Sequence, residues 1–315
     1  MNVKKLKVYN CIKEFKPLKK TVVTIGTFDG VHLGHQSIFT KMKEEAKKLD
    51  GETVLITFSP HPRLVLYEDS KNLKFINTHQ KKLERIESAG IDHLIIIPFT
   101  KSFAQQSSEK FLSDYVINYT HPSMIVIGYD HHFGKNREGN FDLLNSFKEK
   151  YHYKLQQVPP LVIDGMPVSS TRIRNLLKQG NVKEANKMLG YEYSITGKVV
   201  KGNAIGHSLG FPTANIEIPN VYKLIAANGV YACRAQIENS IYSGMSNIGT
   251  RPTIDHGELT IEINIFNFDK DIYGETITIY FVDRLRDEIK FSNLEALKEQ
   301  LKKDKTHTLK ILKDL

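Results

Sequence analysis

Short apolar runs punctuate the first part of the chain: TVVTI (21–25), TVLITF (53–58), HLIIIPF (93–99), MIVIG (124–128) and KLQQVPP (154–160). They read as buried strands. Between them the apolar positions take helical spacing, over 36–49, about 79–88, 108–118 and 141–150. Thr78 is placed to cap the second of these helices and Gly90 to stop it. Strand alternating with helix predicts an α/β unit, a doubly wound parallel sheet with helices on both faces. Ligands of such sheets bind beyond the carboxyl ends of the strands.

The period changes after about residue 185. LTIEINIF (259–266) and ETITIYFV (275–282) alternate with period two, YACRAQI (231–237) is a further strand, and Gly and Asn/Asp turns separate them. This predicts a small β-barrel or sandwich. A closing helix follows, with Ser292 and Glu295 at capping-box spacing and Leu294, Leu297 and Leu301 as its apolar stripe. NVKEANKMLG (181–190) reads as a short joining helix. The expected division is therefore residues 1–185 and 186–315.

Charge sharpens this division. The net charge of +9 is confined to the first part: residues 1–185 hold 28 Lys+Arg against 19 Asp+Glu, and residues 186–315 hold 16 of each. A basic first part suits a polyanionic partner such as a nucleotide, whereas a neutral second part without a basic stripe argues against nucleic acid. No run approaches the ~20 apolar residues of a transmembrane helix, and no apolar segment follows the basic N-terminus as a signal peptide requires. Cys11 and Cys233 are the only cysteines, too few for a disulfide framework, so a reducing cytoplasm is expected.

The candidate chemistry begins directly after the first buried strand, in Gly26-Thr27-Phe28-Asp29-Gly30-Val31-His32-Leu33-Gly34-His35. Glycines let backbone amides approach a phosphate, and a helix N-terminus adds donors and the positive end of a dipole. His32 and His35 are three residues apart, so one turn presents both imidazoles to one ligand. There they can donate to phosphate oxygens as charge builds in an in-line displacement. Further on, Ser170 and Thr171 can cap a helix whose Arg174 can grip a phosphate. In the second part, Thr213 and Asn215 offer short oxygen-bearing side chains two apart, of the kind Mg²⁺ accepts. Alternation in Thr260–Ile265 puts Ile261, Ile263 and Ile265 on one face and Glu262 with Asn264 on the other. His131 and His132 are adjacent and point apart, without a carboxylate–histidine set around them at ligand spacing.

These segments carry a family resemblance. GTFDGVHLGH resembles the signature of the HxGH nucleotidyltransferases, in particular their bacterial FAD-synthetase branch. Ser169-Ser170-Thr171-Arg172-Ile173-Arg174 is similar to that branch's S-S-T-x-I-R motif. Gly128-Tyr129-Asp130-His131-His132-Phe133-Gly134-Lys135 resembles its flavin-side loop, with His131 where Phe is usual. Gly206-His207-Ser208-Leu209-Gly210-Phe211-Pro212-Thr213-Ala214-Asn215 looks like the riboflavin-kinase motif, with His207 where Arg is usual. Asn247-Ile248-Gly249-Thr250-Arg251-Pro252-Thr253 and Asp271-Ile272-Tyr273-Gly274 continue the likeness. Glu262 matches that family's catalytic glutamate, with Asn264 where His is usual, and Arg286 matches a stretch near its flavin site.

The resemblance implies an FMN adenylyltransferase domain followed by a six-stranded riboflavin-kinase barrel with a closing helix. It implies riboflavin, FMN, FAD, ATP, ADP and pyrophosphate as the molecules handled, Mg²⁺ as cofactor, and neither nucleic acid nor membrane as partner. In the first domain it assigns catalysis to His32, His35 and Arg174. ATP binding falls to Gly26, Phe28, Asp29, Gly30, His32, His35, Ser170, Thr171 and Arg174, and flavin binding to Asp130 and Phe133. In the barrel it assigns the base to Glu262, the metal to Thr213 and Asn215, and ATP or flavin contacts to Gly202, Gly210, Pro212, Thr213, Asn215 and Arg286.

Overall fold

The structure is a computed structural model that describes residues 5–67, 73–202, 209–250 and 259–313. Gly206, His207 and Ser208 of the second-domain run, and Arg251, Pro252 and Thr253, lie outside the described residues. The chain forms two compact units, Met1–Ser170 and Thr171–Leu315.

In the first unit the strands are β1 (Lys7–Tyr9), β2 (Thr21–Ile25), β3 (Glu52–Ser59), β4 (His93–Pro98), β5 (Pro122–Gly128) and β6 (Lys154–Val158). They form one sheet in the order β1-β4-β3-β2-β5-β6, and every pairing is parallel. Pleating sends alternate side chains to opposite faces, and both faces are apolar. Val23, Ile25, Val54, Ile56, Ile95, Ile97, Ile125 and Ile127 share one core. Phe111, Leu112 and Val116 close it from a helical run, Ser108–Phe111, Leu112–Ile117 in π geometry and Asn118–Thr120. Val22, Leu55, Leu94, Ile96, Met124 and Val126 form the other core. It is covered by Ile38, Phe39 and Met42 of α1 (Leu33–Leu49) and by Ile86 of α2 (His79–Ser88). The doubly wound sheet read from the sequence is thus the observed one. β1 lacks any apolar signature and was not foreseen; it is held at the sheet edge by its ladder to β4. Thr78 caps α2, its side chain accepting from the Lys81 amide. α3 (Phe141–Tyr151) follows β5, and the short strands β7 (Val162–Ile163) and β8 (Met166–Pro167) pair as a hairpin.

The winding fixes where a ligand can sit. From β2 the chain steps outward through β3 to β4, then returns to place β5 on the other side of β2. The carboxyl ends of β2 and β5 therefore flank the switch point, the crevice in which such sheets bind ligands. The loops that leave these strands are those bearing His32 and Asp130.

The second unit opens with α4, which starts at the unit border (Ser170–Lys178), and α5 (Val182–Leu189). Strands β9 (Tyr193–Val200), β10 (Ala214–Glu217), β11 (Gly229–Ile237), β12 (Ser240–Thr250), β13 (Leu259–Ile265) and β14 (Thr276–Arg286) close into a barrel. Its order is β10-β13-β12-β11-β14-β9, antiparallel throughout. Tyr193, Ile195, Tyr231, Cys233, Ile263, Ile279 and Phe281 fill the interior. α6 (Leu294–Lys313) lies outside against it, its Leu297 and Leu301 packing on Leu209, Phe211, Met245 and Phe266.

Two details differ from expectation. The cap of α6 is Asn293, whose Oδ1 accepts from the Ala296 amide at 2.8 Å, and not Ser292. Leu294 is 59% exposed, because the inward stripe runs through Leu297, Leu301, Asp304 and Thr308. The compact units also divide ahead of residue 185, since α5 belongs to the barrel. Its Val182, Ala185, Met188 and Leu189 are buried, and Asn186 donates to Phe281 O at 2.8 Å while accepting from Tyr193 N at 2.7 Å. A fragment beginning at Thr171 should therefore unfold as one cooperative barrel. One beginning at Gly190 should lose several kcal/mol, because four buried apolar side chains and the half-buried, doubly bonded Asn186 amide leave with α5. Denaturant titration of the two fragments checks this; equal midpoints would show that α5 only caps the surface.

Candidate active sites

The loop after β2 is held in a strained shape. Phe28, Gly30 and Val31 all have left-handed backbone, with φ of 50°, 86° and 41°. Only at Gly30 is that conformation free of Cβ strain, and a Cβ there would also sit 2.9 Å from Ile76 Cδ1. Asp29 fixes the turn. Its buried carboxylate accepts from the amides of Ile76 (3.0 Å) and Asn77 (3.4 Å), and its carbonyl accepts from Ser170 Oγ at 2.9 Å. Gly26 donates its amide to Ile56 O at 3.0 Å, which keeps the loop over the end of β3.

His32 is the N-cap of α1: its Nδ1 accepts from the His35 amide at 3.4 Å, and its ring is buried. The His32 and His35 rings stack, with centroids 3.6 Å apart and planes 18° from parallel. Phe28 meets the His35 ring edge-on at 5.1 Å and leans on Phe39, so the pair is clamped from the side. Burial, then the neighbouring His32 and Lys82, hold His35 well below the usual imidazole range. At neutral pH it is an uncharged donor. Its Nδ1 is buried and has no hydrogen-bond partner among the described residues.

Ser170 is the first residue of α4 rather than its cap, and its hydroxyl is engaged by Asp29. Thr171 and Arg174 follow on α4 within the second unit, where Arg174 Nη2 lies 3.4 Å from Thr171 Oγ1. At the end of β5, Asp130 is exposed, whereas the Phe133 ring is buried in the core beside Phe111 at 5.8 Å. The Phe133 backbone exchanges two 2.9 Å hydrogen bonds with Gly139 and closes the loop. His131 stacks 5.6 Å from Phe133 and is pushed down to about 4 by burial and then by His132, so it too is neutral.

In the barrel, Asn215 on β10, Glu262 on β13 and Asn247 on β12 stand directly opposite one another across three strands. Opposed residues share a face of the sheet. Thr213 Oγ1 lies 3.5 Å from Glu262 Oε2, so hydroxyl, amide and carboxylate converge. The Gly202 backbone comes so close to the Asn215 side chain that any Cβ would overlap it. Asn264, expected on the polar face beside Glu262, is 6% exposed because the Gly210–Pro212 segment covers it, and its Nδ2 donates to Pro212 O at 2.7 Å. Arg286 is braced by α6: its Nε and Nη2 grip Asp304 at 3.0 and 2.7 Å, and Gln300 holds the same carboxylate at 2.8 Å.

Lys82 is the functional candidate that sequence reading missed. Its ammonium reaches the Gly26–His35 loop, 3.4 Å from Thr27 O. In the sequence it is one of two adjacent lysines, Lys81 and Lys82, on a polar helix; Lys81 pairs with Glu84 at the surface.

Fold and sites together define a two-unit enzyme of nucleotide phosphate chemistry: an HxGH-type nucleotidyltransferase sheet and a separate kinase-type barrel. Comparisons with known proteins give the particular family. The FAD synthetase model matches residues 14–172 and the riboflavin kinase model residues 189–312. Relatives described as bifunctional riboflavin kinase/FMN adenylyltransferase include those of Buchnera aphidicola (35% identical, 95% of this chain and 96% of that one), Bacillus subtilis (34%, 94% and 94%) and Escherichia coli K12 (31%, 91% and 91%). The chain belongs to the bifunctional riboflavin kinase/FMN adenylyltransferase family. A crystal structure described as a macrolide-efflux protein of Streptococcus pneumoniae shares the architecture, with a TM-score of 0.88, 34% identity and coverage of 96% of this chain and 98% of that one. Among the described residues here, no helix is long and apolar enough to cross a membrane.

The Arg286–Asp304 pair yields a test of its own. Removing one partner of a buried, hydrogen-bonded pair leaves an uncompensated charge and costs about 3–5 kcal/mol. Asp304→Ala should therefore destabilise the barrel by roughly 3 kcal/mol in denaturant unfolding. A change below about 0.5 kcal/mol, the size of an ordinary surface substitution, would reduce the pair to a surface contact.

Proposed function

We propose that this chain phosphorylates riboflavin to FMN with one ATP and adenylylates FMN to FAD with a second, releasing ADP and then pyrophosphate. The observation that carries this reading is that two different reacting sets stand on two separate folds: the stacked His32–His35 pair at the sheet's switch point, and the Thr213–Asn215–Glu262 set on the barrel. By sequence pattern we assign the adenylyltransferase domain to about 1–185 and the kinase domain to 186–315, with α5, which spans that border, packed on the barrel. The cytoplasm is the compartment that suits both the ATP supply and a chain with two cysteines. Nucleic acid and membrane have no part in either reaction.

In the kinase the riboflavin 5′-hydroxyl oxygen attacks the γ-phosphorus of ATP. Its proton passes to Glu262, and the bond to the β,γ-bridging oxygen breaks to release ADP. The Thr213 hydroxyl and the Asn215 amide carbonyl are oxygen donors that would suit Mg²⁺, with the remaining positions left to phosphate oxygens and water. When bound, the ion supplies positive charge to the phosphate oxygens. Gly202, Gly210, Pro212 and Arg286 are assigned to ATP or flavin contacts, with Arg286 braced by Asp304.

In the adenylyltransferase a phosphate oxygen of FMN attacks the α-phosphorus of the second ATP, and the electron pair of the broken bond leaves on pyrophosphate. His32, His35, Thr171 and Arg174 donate to the oxygens that gain charge. Gly26, Phe28, Asp29, Gly30 and Ser170 hold the loop in which the histidines sit. Asp130 and Phe133 belong to the loop proposed to receive the flavin. No covalent intermediate on the enzyme is needed, because phosphoryl chemistry asks mainly for positioning and charge.

Two variants separate the sites. Glu262→Gln keeps shape but takes no proton, so phosphorylation of riboflavin should fall by ~10²–10⁴-fold while FAD formation from supplied FMN continues. His35→Ala removes one donor, so FAD formation should fall by ~10²–10³-fold while FMN formation stays near wild type. Paired turnover assays, one started from riboflavin and one from FMN, read both. A folded variant that loses the two activities together would sink the two-site assignment.

A further inference from the structure

The histidines of the Gly26–His35 loop supply donors without charge. His35 is neutral at physiological pH, and the His32 Nδ1 is occupied as an acceptor for the His35 amide. The one carboxylate in the loop, Asp29, faces the backbone amides of Ile76 and Asn77. A triphosphate entering this crevice brings several negative charges, and something must meet them.

Lys82 is placed to do so. It rises from the first turn of α2, just past the Thr78 cap. Its Nζ lies 3.4 Å from Thr27 O and 3.4 Å from Thr57 Oγ1, above the carboxyl ends of β2 and β3. Both contacts are at the outer limit of a hydrogen bond, and both acceptors are neutral. An ammonium has three protons to donate, so its capacity is under-used. Burial brings its titration down to about 8, and only the nearby Asp29 charge acts in the opposite direction. A structural lysine is normally either solvated or paired with a carboxylate. This one is half-buried, draws a depressing effect from its surroundings and points at the loop that presents phosphate donors.

We infer that Lys82 is a further cation that grips the phosphate chain of the nucleotide during adenylyl transfer and helps neutralise the pyrophosphate as it departs. The inference rests on the adenylyltransferase reading of this unit. The bond that forms is from the FMN phosphate oxygen to the α-phosphorus; the bond that breaks is from that phosphorus to the oxygen bridging to the β-phosphorus. The electron pair goes to pyrophosphate, and Lys82 donates a hydrogen bond to that anion without surrendering its proton. Neutral imidazoles and a charged lysine thus divide the task, the former fixing direction and the latter balancing charge.

The test uses the full-length protein as wild type, Lys82→Met and Lys82→Arg. Riboflavin phosphorylation on the same samples serves as the folding control, since that reaction belongs to the barrel. Lys82→Met should lower kcat/KM for ATP in FAD formation by about 10²-fold, the size of one lost charge-stabilising donor. It should also weaken calorimetric binding of inorganic pyrophosphate at least tenfold. For wild type, kcat/KM for ATP should fall as the pH rises through about 8, because the free enzyme loses the ammonium there. Lys82→Arg should retain activity within about tenfold and carry no such limb below roughly pH 10, since guanidinium does not titrate in that range. Lys82→Met with FAD formation and pyrophosphate binding both within threefold of wild type overturns the inference, as does Lys82→Arg with the alkaline limb unmoved. If wild type itself makes no FAD, the adenylyltransferase reading fails. The pyrophosphate titration then decides the role of Lys82 by itself: equal binding by wild type and Lys82→Met rejects it.

Discussion

Left-handed backbone at Phe28 and Val31 costs on the order of 1–3 kcal/mol at each position, and it survives because Asp29 is anchored on both of its polar ends. The carboxylate pins the Ile76–Asn77 segment, which leads into α2. The carbonyl is pinned by Ser170, which begins α4. One residue thus ties the turn after β2 to the approach of α2 and to the start of α4. Everything chemical in this unit depends on that tie. It sets where α1 begins, hence where His32 caps it, hence the stacking of His35 beneath. By fixing the entry to α2 it also sets how far Lys82 projects over the strand ends. Asp29 is named in the sequence motif as if it met the ligand, but its visible work is to hold the geometry in which other groups can.

The barrel relies on register instead of strain. Asn215, Glu262 and Asn247 come from segments far apart in the chain, and antiparallel pairing alone makes them neighbours. A slip of one residue would turn every one of them to the opposite face. The interior side chains forbid that slip, because Ile261, Ile263 and Ile265 would leave the core as Glu262 entered it. Packing inside the barrel therefore positions the carboxylate outside it. Asn264 reinforces the same register from the outer face by holding the carbonyl of Pro212, one residue before Thr213. Where the family pattern has His, an amide performs that bridging here without a titrating group.

Period and punctuation made most of the fold legible. The four runs buried in β2 to β5, the shift to period two in the second part and the Thr78 cap each follow from side-chain chemistry acting over a few residues, and the structure shows them; the fifth run forms the edge strand β6, none of whose residues is buried. What sequence could not resolve was set over longer distances. β1 has no apolar pattern and exists through its ladder to β4. Asn293 and Ser292 are equally good caps by type, and only the structure shows that Asn293 takes the Ala296 amide. Leu294 fits a helical stripe, yet the buried line continues through the polar Asp304, which no apolar count would choose. The hold of Asp304 on Arg286, eighteen residues apart, is likewise invisible to local pattern. Lys82 was hidden for the same reason: Lys81 and Lys82 are identical in type, and the tertiary fold sends one outward to Glu84 and the other inward to Thr27.

Two phosphate reactions on one chain ask for opposite electrostatics, and the two units provide them. Attack by a neutral hydroxyl requires a group that accepts a proton, so the barrel site is centred on a carboxylate with neutral oxygens beside it. Attack by an already ionised phosphate oxygen requires no base. It requires that two polyanions be brought together, and a carboxylate at the reacting atoms would oppose that approach. The sheet unit engages the one carboxylate of its Gly26–His35 loop with backbone amides and holds two imidazoles and an ammonium in and against that loop. Keeping His35 uncharged has a further consequence. A second cation beside Lys82 would lower the lysine's own affinity for its proton, and the burial that strips charge from the imidazole leaves the ammonium charged beside a neutral His35. Burial here therefore acts on two neighbouring bases in the same direction, yet leaves the imidazole uncharged while the lysine, titrating at about 8, keeps its proton at neutral pH.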